Sequence, residues 1–166
     1  MRFLKKLLSA KVSKMIGRLI GTSWRVMPAQ LRRWITRRVQ TTFTISAAGI
    51  ITNGEGKILL LNHILRSTPS GWGVPGGFIS LGEQPEEALR REIEEETGLT
   101  LDDVKIFHCR TIYRHVEVIM TARGVGTAKV NSREITELAW FSLEDIPAEM
   151  NKGEKDLIRA ALSRSV

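Results

Sequence analysis

The stretch Gly77–Leu99 reads GFISLGEQPEEALRREIEEETGL and is the most informative part of the 166-residue sequence. Nine of its positions define a motif of fixed spacing: Gly77, Glu83, Arg91, Glu92, Ile93, Glu95, Glu96, Gly98 and Leu99. Helix positions three and four apart are neighbours, so the last three of these glutamates share one face. Carboxylates at such a short distance repel each other unless a positive charge lies between them. Their hard oxygen atoms suit Mg²⁺ or Mn²⁺.

A helix is well signalled within this stretch. Pro85 suits a first helical turn, Glu86 and Glu87 complement the positive end of the helix dipole, and Gly98 suits the C-terminal cap. The apolar side that would dock on a core contains Ala88, Leu89 and Ile93. A Glu-rich helix alone is most often a solvated face, but the spaced glycines, Glu83 and Arg91 favour a metal site.

The nine positions resemble the complete Nudix box, GX5EX7REUXEEXGU, in which U is an apolar residue. The resemblance covers about residues 42–163. It implies an α/β/α sandwich with a mixed β-sheet, here preceded by a basic helical N-terminal extension. It also implies that water attacks one phosphorus of a nucleoside diphosphate linked to another moiety. The expected cofactor is Mg²⁺ held by the box carboxylates, with Mn²⁺ as the alternative.

The resemblance also implies roles for individual residues. The expected metal-site positions are Gly77, Glu83, Glu92, Glu95 and Glu96. Glu83 is expected as a further ligand, bound directly or through water, and Gly77 permits close backbone approach. Arg91 is expected to orient a box carboxylate through a bidentate pair.

The general base is open to several assignments. A box glutamate, Glu92 or Glu95, is one. Glu117, on an apolar strand expected to be central, and Glu134, in the loop before the last strand, are the outside candidates for a metal or base role. For each of these two, an ordinary surface position or a salt bridge is the more common role of such a residue. The catalytic candidates are therefore Arg91, Glu92, Glu95, Glu117 and Glu134.

Apolar runs and turn signals predict strands around the box. The predicted strands are Phe43–Thr52, Lys57–Asn62, Val104–Thr111, His115–Ala122 and Thr136–Ser142, with a last helix near Glu154–Leu162. The single cysteine, Cys109, is expected as a small buried residue, and it excludes an internal disulfide. Substrate choice is expected to depend on the loops His63–Ser70 and Lys129–Glu134.

Charge divides the chain into two predicted parts, an extension at residues 1–40 and a Nudix domain at 41–166. The extension holds eleven Lys and Arg residues, and the first acid of the chain is Glu55. The remaining residues carry fourteen basic and eighteen acidic side chains, so the net charge of +7 comes from the extension. The catalytic part is mildly acidic.

The extension has the spacing of two amphipathic helices. Apolar residues recur every three to four positions over Phe3–Ile20, where Gly21 is expected to end the helix, and a second helix is expected near Pro28. No apolar run is long enough to span a membrane, and the charges interrupt any signal peptide. Four roles stay open: an anionic membrane surface, packing on the domain or on a homodimer partner, nucleic acid, or targeting.

Three functions follow from these observations. The first is a hydrolase of a nucleoside triphosphate or a nucleotide-sugar-like diphosphate. The second applies the same chemistry to an RNA 5′ end, with the extension binding phosphates. The third is a non-enzymatic nucleotide sensor, which the intact box argues against. A cytoplasmic location is expected, with peripheral attachment to the inner face of a membrane if the extension binds lipid.

Overall fold

The computed structural model describes residues 14–15, 18–19, 21–64 and 71–163. Contacts divide the chain into two compact units, Met1–Thr42 and Phe43–Val166. The first unit contains α1, Ala29–Val39. The elements of the second are β1 Thr44–Thr52, β2 Ile58–His63, β3 Trp72–Gly73, β4 Gly76–Phe78, α2 Pro85–Thr97, β5 Thr100–Ile112, β6 His115–Val125, β7 Ile135–Phe141 and α3 Lys152–Leu162.

The strands form one mixed sheet in the order β3-β2-β1-β6-β5, with β4 paired to β1 and β7 paired to β2. β1 and β6 run parallel over the whole of β1, from the pair Thr44 and His115 to the pair Thr52 and Arg123. The other pairings are antiparallel. Because β4 takes the other edge of β1 at Ser46–Ala48, the segment that leads into the box is hydrogen-bonded to the centre of the sheet.

Both faces of the sheet are covered, as the sequence predicts. Along β1, Ala47 and Ile51 belong to one buried cluster, whereas Ala48 and Ile50 belong to another on the opposite face. The first cluster includes residues of α2, namely Ala88, Leu89 and Ile93. The second includes residues of α3, namely Ile158 and Ala161. Since successive strand residues point to opposite faces, an apolar run in β1 serves two helical layers.

β5 differs from its prediction in two respects. It begins at Thr100 rather than Val104, and it accommodates register shifts between Asp102 and Lys105. Aspartates are poor strand formers, so the sequence pattern missed this irregular first part. The prediction that Cys109 is buried is wrong: its side chain is exposed, because β5 is the outermost strand of the sheet.

In the first unit, the prediction that Gly21 ends a helix is wrong. Residues 21–26 are helical, and the hydroxyl of Thr22 donates to the carbonyl of Arg18 at 2.8 Å. The helix stops before Pro28, because a proline ring disfavours helical geometry at the residue before it. Most of the predicted Phe3–Ile20 helix lies outside the described residues. In the described part of the chain, no helix is long and apolar enough to cross a membrane.

Candidate active site

α2 is held at both ends, which fixes the direction of the side chains it carries. At its start, the backbone N–H of Gln84 donates to the carboxylate of Glu87 at 2.9 Å. At its end, Gly98 adopts φ 70°, a left-handed conformation that glycine reaches at little cost. Arg90 ties the helix to β5 by donating to the carbonyl of Leu101. The box residues therefore project from a rigid element.

Arg91 gathers three of the four box glutamates. Its Nε and Nη2 atoms donate to the two carboxylate oxygens of Glu83 at 2.8 and 3.1 Å, in the bidentate geometry that the sequence predicts. Its Nη1 atom lies 2.8 Å from Oε1 of Glu92 and 3.6 Å from Oε2 of Glu95. One guanidinium thus offsets the repulsion among three carboxylates.

The same contacts set the charge of Glu83. The hydrogen bond from Arg91, followed by the backbone N–H of Ser80, lowers the pKa of Glu83 from its ordinary value of 4.5 to about 2. In return, Glu83 and Glu92 raise the pKa of Arg91. Both partners therefore stay charged at every physiological pH.

Gly77 lies directly against the carboxylate of Glu92. A Cβ atom at this position would overlap the carboxyl group, so only glycine leaves room for it. Gly77 is on β4, which packs beside α2, and the Glu92 side chain is only 19% exposed. The glycine of the box thus forms a cradle that holds one glutamate in place.

The remaining two helix carboxylates differ in exposure. Glu96 belongs to the buried side of α2 and is 7% exposed, whereas the Glu95 side chain is 62% exposed. The loop after β6 covers the end of the helix, where the N–H of Asn131 donates to the Glu96 carbonyl at 2.9 Å. The carboxylates therefore form a graded series from core to solvent.

A divalent cation fits this donor set, although the described residues form no ready-made cluster of three or more His, Cys, Asp or Glu ligands. The donors are carboxylate oxygens, which hard cations prefer. The Gly77 cradle holds one of them, and the Arg91 guanidinium shows that the group accommodates positive charge.

A groove lies beside the box. It is lined by Ser46, Ala47, Ala48, Val74, Gly76, Gly77, Phe78, His115 and Glu117. His115 is held by two hydroxyls, with Nδ1 2.8 Å from Oγ1 of Thr44 and Nε2 2.9 Å from Oγ of Ser46. The ring of Phe78 stands nearly perpendicular to the imidazole at 5.8 Å and is 65% exposed. The groove thus has a fixed wall and one exposed aromatic ring.

Glu117 lies in this groove, on a central strand as predicted, and it is paired. Both Nε and Nη2 of Arg110 lie 2.6 Å from its Oε2 atom. Sequence reasoning missed Arg110, although a signal was present. A two-residue turn at Tyr113–Arg114 places residues 110 and 117 opposite each other in the hairpin. Opposite charges at such positions are expected partners.

Glu134 is not brought to the box carboxylates by any contact among the described residues. Its carbonyl accepts from the N–H of Ile64 at 3.0 Å, its N–H donates to Oγ of Ser132, and its side chain is exposed. Tyr113, at the tip of the hairpin, is 96% exposed and does not line the groove. The structure therefore gathers Glu83, Glu92 and Glu95 around Arg91, and no contact among the described residues joins Glu134 to them.

The sequence model of the NUDIX domain matches residues 42–161, so the chain belongs to the Nudix hydrolase family. It is a pyrophosphohydrolase acting on nucleoside diphosphate derivatives, and hydrolases of this family generally use divalent metal cations.

Individual relatives and solved structures are similar to large parts of this chain. A MutT-like protein of Streptomyces ambofaciens is 27% identical over 109 residues, which cover 64% of this chain and 69% of that protein. An NAD-capped RNA hydrolase of Macaca fascicularis is 28% identical over 119 residues, 70% of this chain but only 26% of that relative. The crystal structure of a MutT Nudix hydrolase from Burkholderia pseudomallei has a TM-score of 0.61 at 27% identity, over 70% of this chain and 95% of that one.

Proposed function

We propose that the protein hydrolyses the diphosphate linkage of a nucleoside triphosphate or a nucleotide-sugar-like substrate with the help of Mg²⁺. The observation that carries this proposal is the carboxylate series on α2, with Glu92 held in the Gly77 cradle beside an open groove. The metal ligands would be Glu92, Glu95 and Glu96, with Glu83 as a further ligand through water. Bound Mg²⁺ would neutralise phosphate oxygens and stabilise charge on the leaving group.

The side chains of the chain itself have distinct parts in this reaction. Glu95, the most exposed of the three helix carboxylates, would accept the proton of the attacking water on the carboxylate oxygen that does not bind the metal, and would release it to solvent. The water oxygen forms a bond to one phosphorus while the bridging P–O bond breaks, which yields two phosphate products. Arg91 is a positioning residue, because it holds Glu83 and Glu92 in their orientations.

The groove is proposed to receive the nucleoside. Phe78 offers an exposed ring on which a base can stack, and aromatic stacking tolerates any base. Glu117 is assigned to substrate positioning, because it lines the groove and Arg110 holds its carboxylate. Glu134 is assigned to neither the metal nor the base, since no contact among the described residues brings its carboxylate to the box.

A substrate screen with two matched variants tests the proposal. Glu96→Gln removes a buried carboxylate and is expected to lower kcat more than a hundredfold. Glu94→Gln, two residues before Glu96 on the exposed side of the same helix, is expected to leave kcat within about twofold of wild type. The screen contains nucleoside triphosphates, dinucleoside polyphosphates, nucleotide sugars and 5′-triphosphorylated RNA, with Mg²⁺, Mn²⁺ or a chelator. Equal silence of wild type and Glu96→Gln on every substrate would contradict the proposal.

A second candidate is hydrolysis at an RNA 5′ end, supported by the RNA hydrolase among the relatives and by the basic first unit. Phosphate contacts release counterions, so the KM for RNA should then rise steeply with salt. A KM for RNA that is insensitive to salt, combined with full activity after removal of residues 1–40, would contradict this candidate.

A further inference from the structure

The described residues of the segment 14–39, which are all but residues 16, 17 and 20, leave most of their apolar side chains on the surface. α1 has no buried residue, and exposed apolar side chains occur along the whole segment. They are Met15, Leu19, Trp24, Val26, Leu31, Trp34 and Val39. Two of them are tryptophans, the residue type that prefers the boundary between an apolar phase and water.

The charge of the segment has one sign. Seven Lys and Arg residues lie between positions 14 and 39, and no acid occurs before Glu55. The seven are Lys14, Arg18, Arg25, Arg32, Arg33, Arg37 and Arg38. A surface with this composition attracts a partner that is both anionic and able to bury apolar side chains.

α1 combines the two properties in one element. Leu31, Trp34 and Ile35 follow the three-to-four spacing of one helix side, and most of the arginines lie elsewhere around the helix. Arg38 is on the apolar side, where its guanidinium carbon is 5.5 Å from the Trp34 ring. A long basic side chain in this position keeps its stem on apolar surface while its charge reaches outward.

Two threonine hydroxyls of the segment are hydrogen-bonded within their own helices. The hydroxyl of Thr36 donates to the carbonyl of Arg32 at 2.9 Å, and Thr22 bonds to Arg18 in the same way. A hydroxyl that is already hydrogen-bonded loses less when it leaves water. These two hydroxyls therefore add little to the cost of entering a poorly hydrated interface.

We propose that residues 14–39 bind the surface of an anionic lipid bilayer and lie in the plane of its headgroups. The arginines would face lipid phosphates, and Leu31, Trp34 and their apolar neighbours would enter the boundary with the acyl chains. A nucleic acid would satisfy the arginines but would leave the exposed aliphatic side chains in water. The bilayer accounts for both features, and this binding does not depend on the hydrolytic reaction.

Flotation of the full-length protein with vesicles tests the proposal. The protein should float with equimolar phosphatidylcholine and phosphatidylglycerol and stay in solution with phosphatidylcholine alone. The double change Leu31→Ser and Trp34→Ser should lower the partition coefficient roughly tenfold or more. Its control is Ile106→Ser, a 70% exposed apolar residue of β5, which should leave partitioning unchanged.

Two variants that each remove one positive charge complete the experiment. Arg33→Gln should weaken binding to the anionic vesicles about fivefold, whereas Arg133→Gln, an exposed arginine of the second unit, should not change it. Helix content from circular dichroism and a cooperative thermal melt confirm that each variant is folded.

Three outcomes would overturn the proposal. The protein could fail to float with both kinds of vesicle, or it could float equally with both. The control variants could also lose as much binding as the variants they control for. Salt-sensitive retention on an RNA oligonucleotide without vesicle binding would assign the segment to nucleic acid instead. None of these results depends on whether the nucleotide is hydrolysed, so failure of the lipid proposal is separable from failure of the proposed function.

Discussion

At the scale of single residues, a substitution at Gly77 should affect catalysis without affecting stability. The Cβ of Gly77→Ala would displace the Glu92 carboxylate, which is the flexible end of a side chain, so the fold should survive. We expect kcat to fall about a hundredfold, because a misplaced ligand loses the productive geometry. Steady-state kinetics and thermal melting measure the two effects.

The control for this change is Gly54→Ala, since a Cβ at Gly54 meets no atom within 4 Å. A drop in kcat for Gly54→Ala, or unchanged kcat for Gly77→Ala, would contradict the role given to the cradle. Gly76→Ala is a useful contrast. Gly76 has a φ of 150°, and a Cβ there would strike the backbone of Ala47. This substitution should therefore destabilise the fold itself.

Phe78 provides a second test at this scale. If its exposed ring stacks on the base, Phe78→Ala should raise the KM for nucleoside triphosphates about tenfold. The kcat should change little, because the ring packs against the His115 imidazole and its loss removes binding of the base rather than a box carboxylate. Tyr113→Ala is the matched control, an exposed aromatic residue outside the groove. An equal rise in KM for both variants would contradict a stacking role.

At the scale of elements, the end of α2 depends on one buried hydroxyl. Thr97 donates to the Ile93 carbonyl at 2.6 Å and accepts from the N–H of Leu99 at 3.3 Å, which joins the helix to β5. Thr97→Val keeps the shape and removes both bonds. It should lower the free energy of unfolding by about 1–2 kcal/mol, measured by denaturant titration.

Thr100→Val is the control, because the Thr100 side chain is exposed and makes one long bond, 3.4 Å, to the carbonyl of Val125. A loss of stability in Thr100→Val as large as that in Thr97→Val would mean that the hydroxyl of Thr97 is not what secures the helix. Activity of both variants should stay near wild type, since neither side chain faces the groove.

Local spacing made part of this structure predictable. The position of α2 and its docking side follow from end signals and periodicity within 23 residues, whereas the pairing of Arg91 with a carboxylate follows from the resemblance to the Nudix box. The contact between Gly77 and Glu92 does not, because it depends on how β4 packs against α2. The pair of Arg110 and Glu117 lies between these cases, since it required the register of a hairpin rather than the spacing of a motif.

At the scale of the whole molecule, every residue assigned to the site belongs to the second unit, Phe43–Val166. A chain that starts at Phe43 after an initiator methionine should therefore keep its kcat/KM for a small nucleotide within about twofold of the full chain. Its flotation with anionic vesicles should be lost. Unfolding of the shortened chain at ordinary temperature would show that the units are energetically inseparable.

The parallel pairing of β1 with β6 has a consequence for the order in which the protein acquires its structure. Thr44 and His115, partners at one end of this pairing, are 71 positions apart in the chain. Closing such a long loop is slow, and domains dominated by distant pairings fold in milliseconds to seconds. During synthesis, the apolar β1 leaves the ribosome well before β6, its parallel partner, has been made. The nascent chain therefore exposes an aggregation-prone strand until β6 emerges.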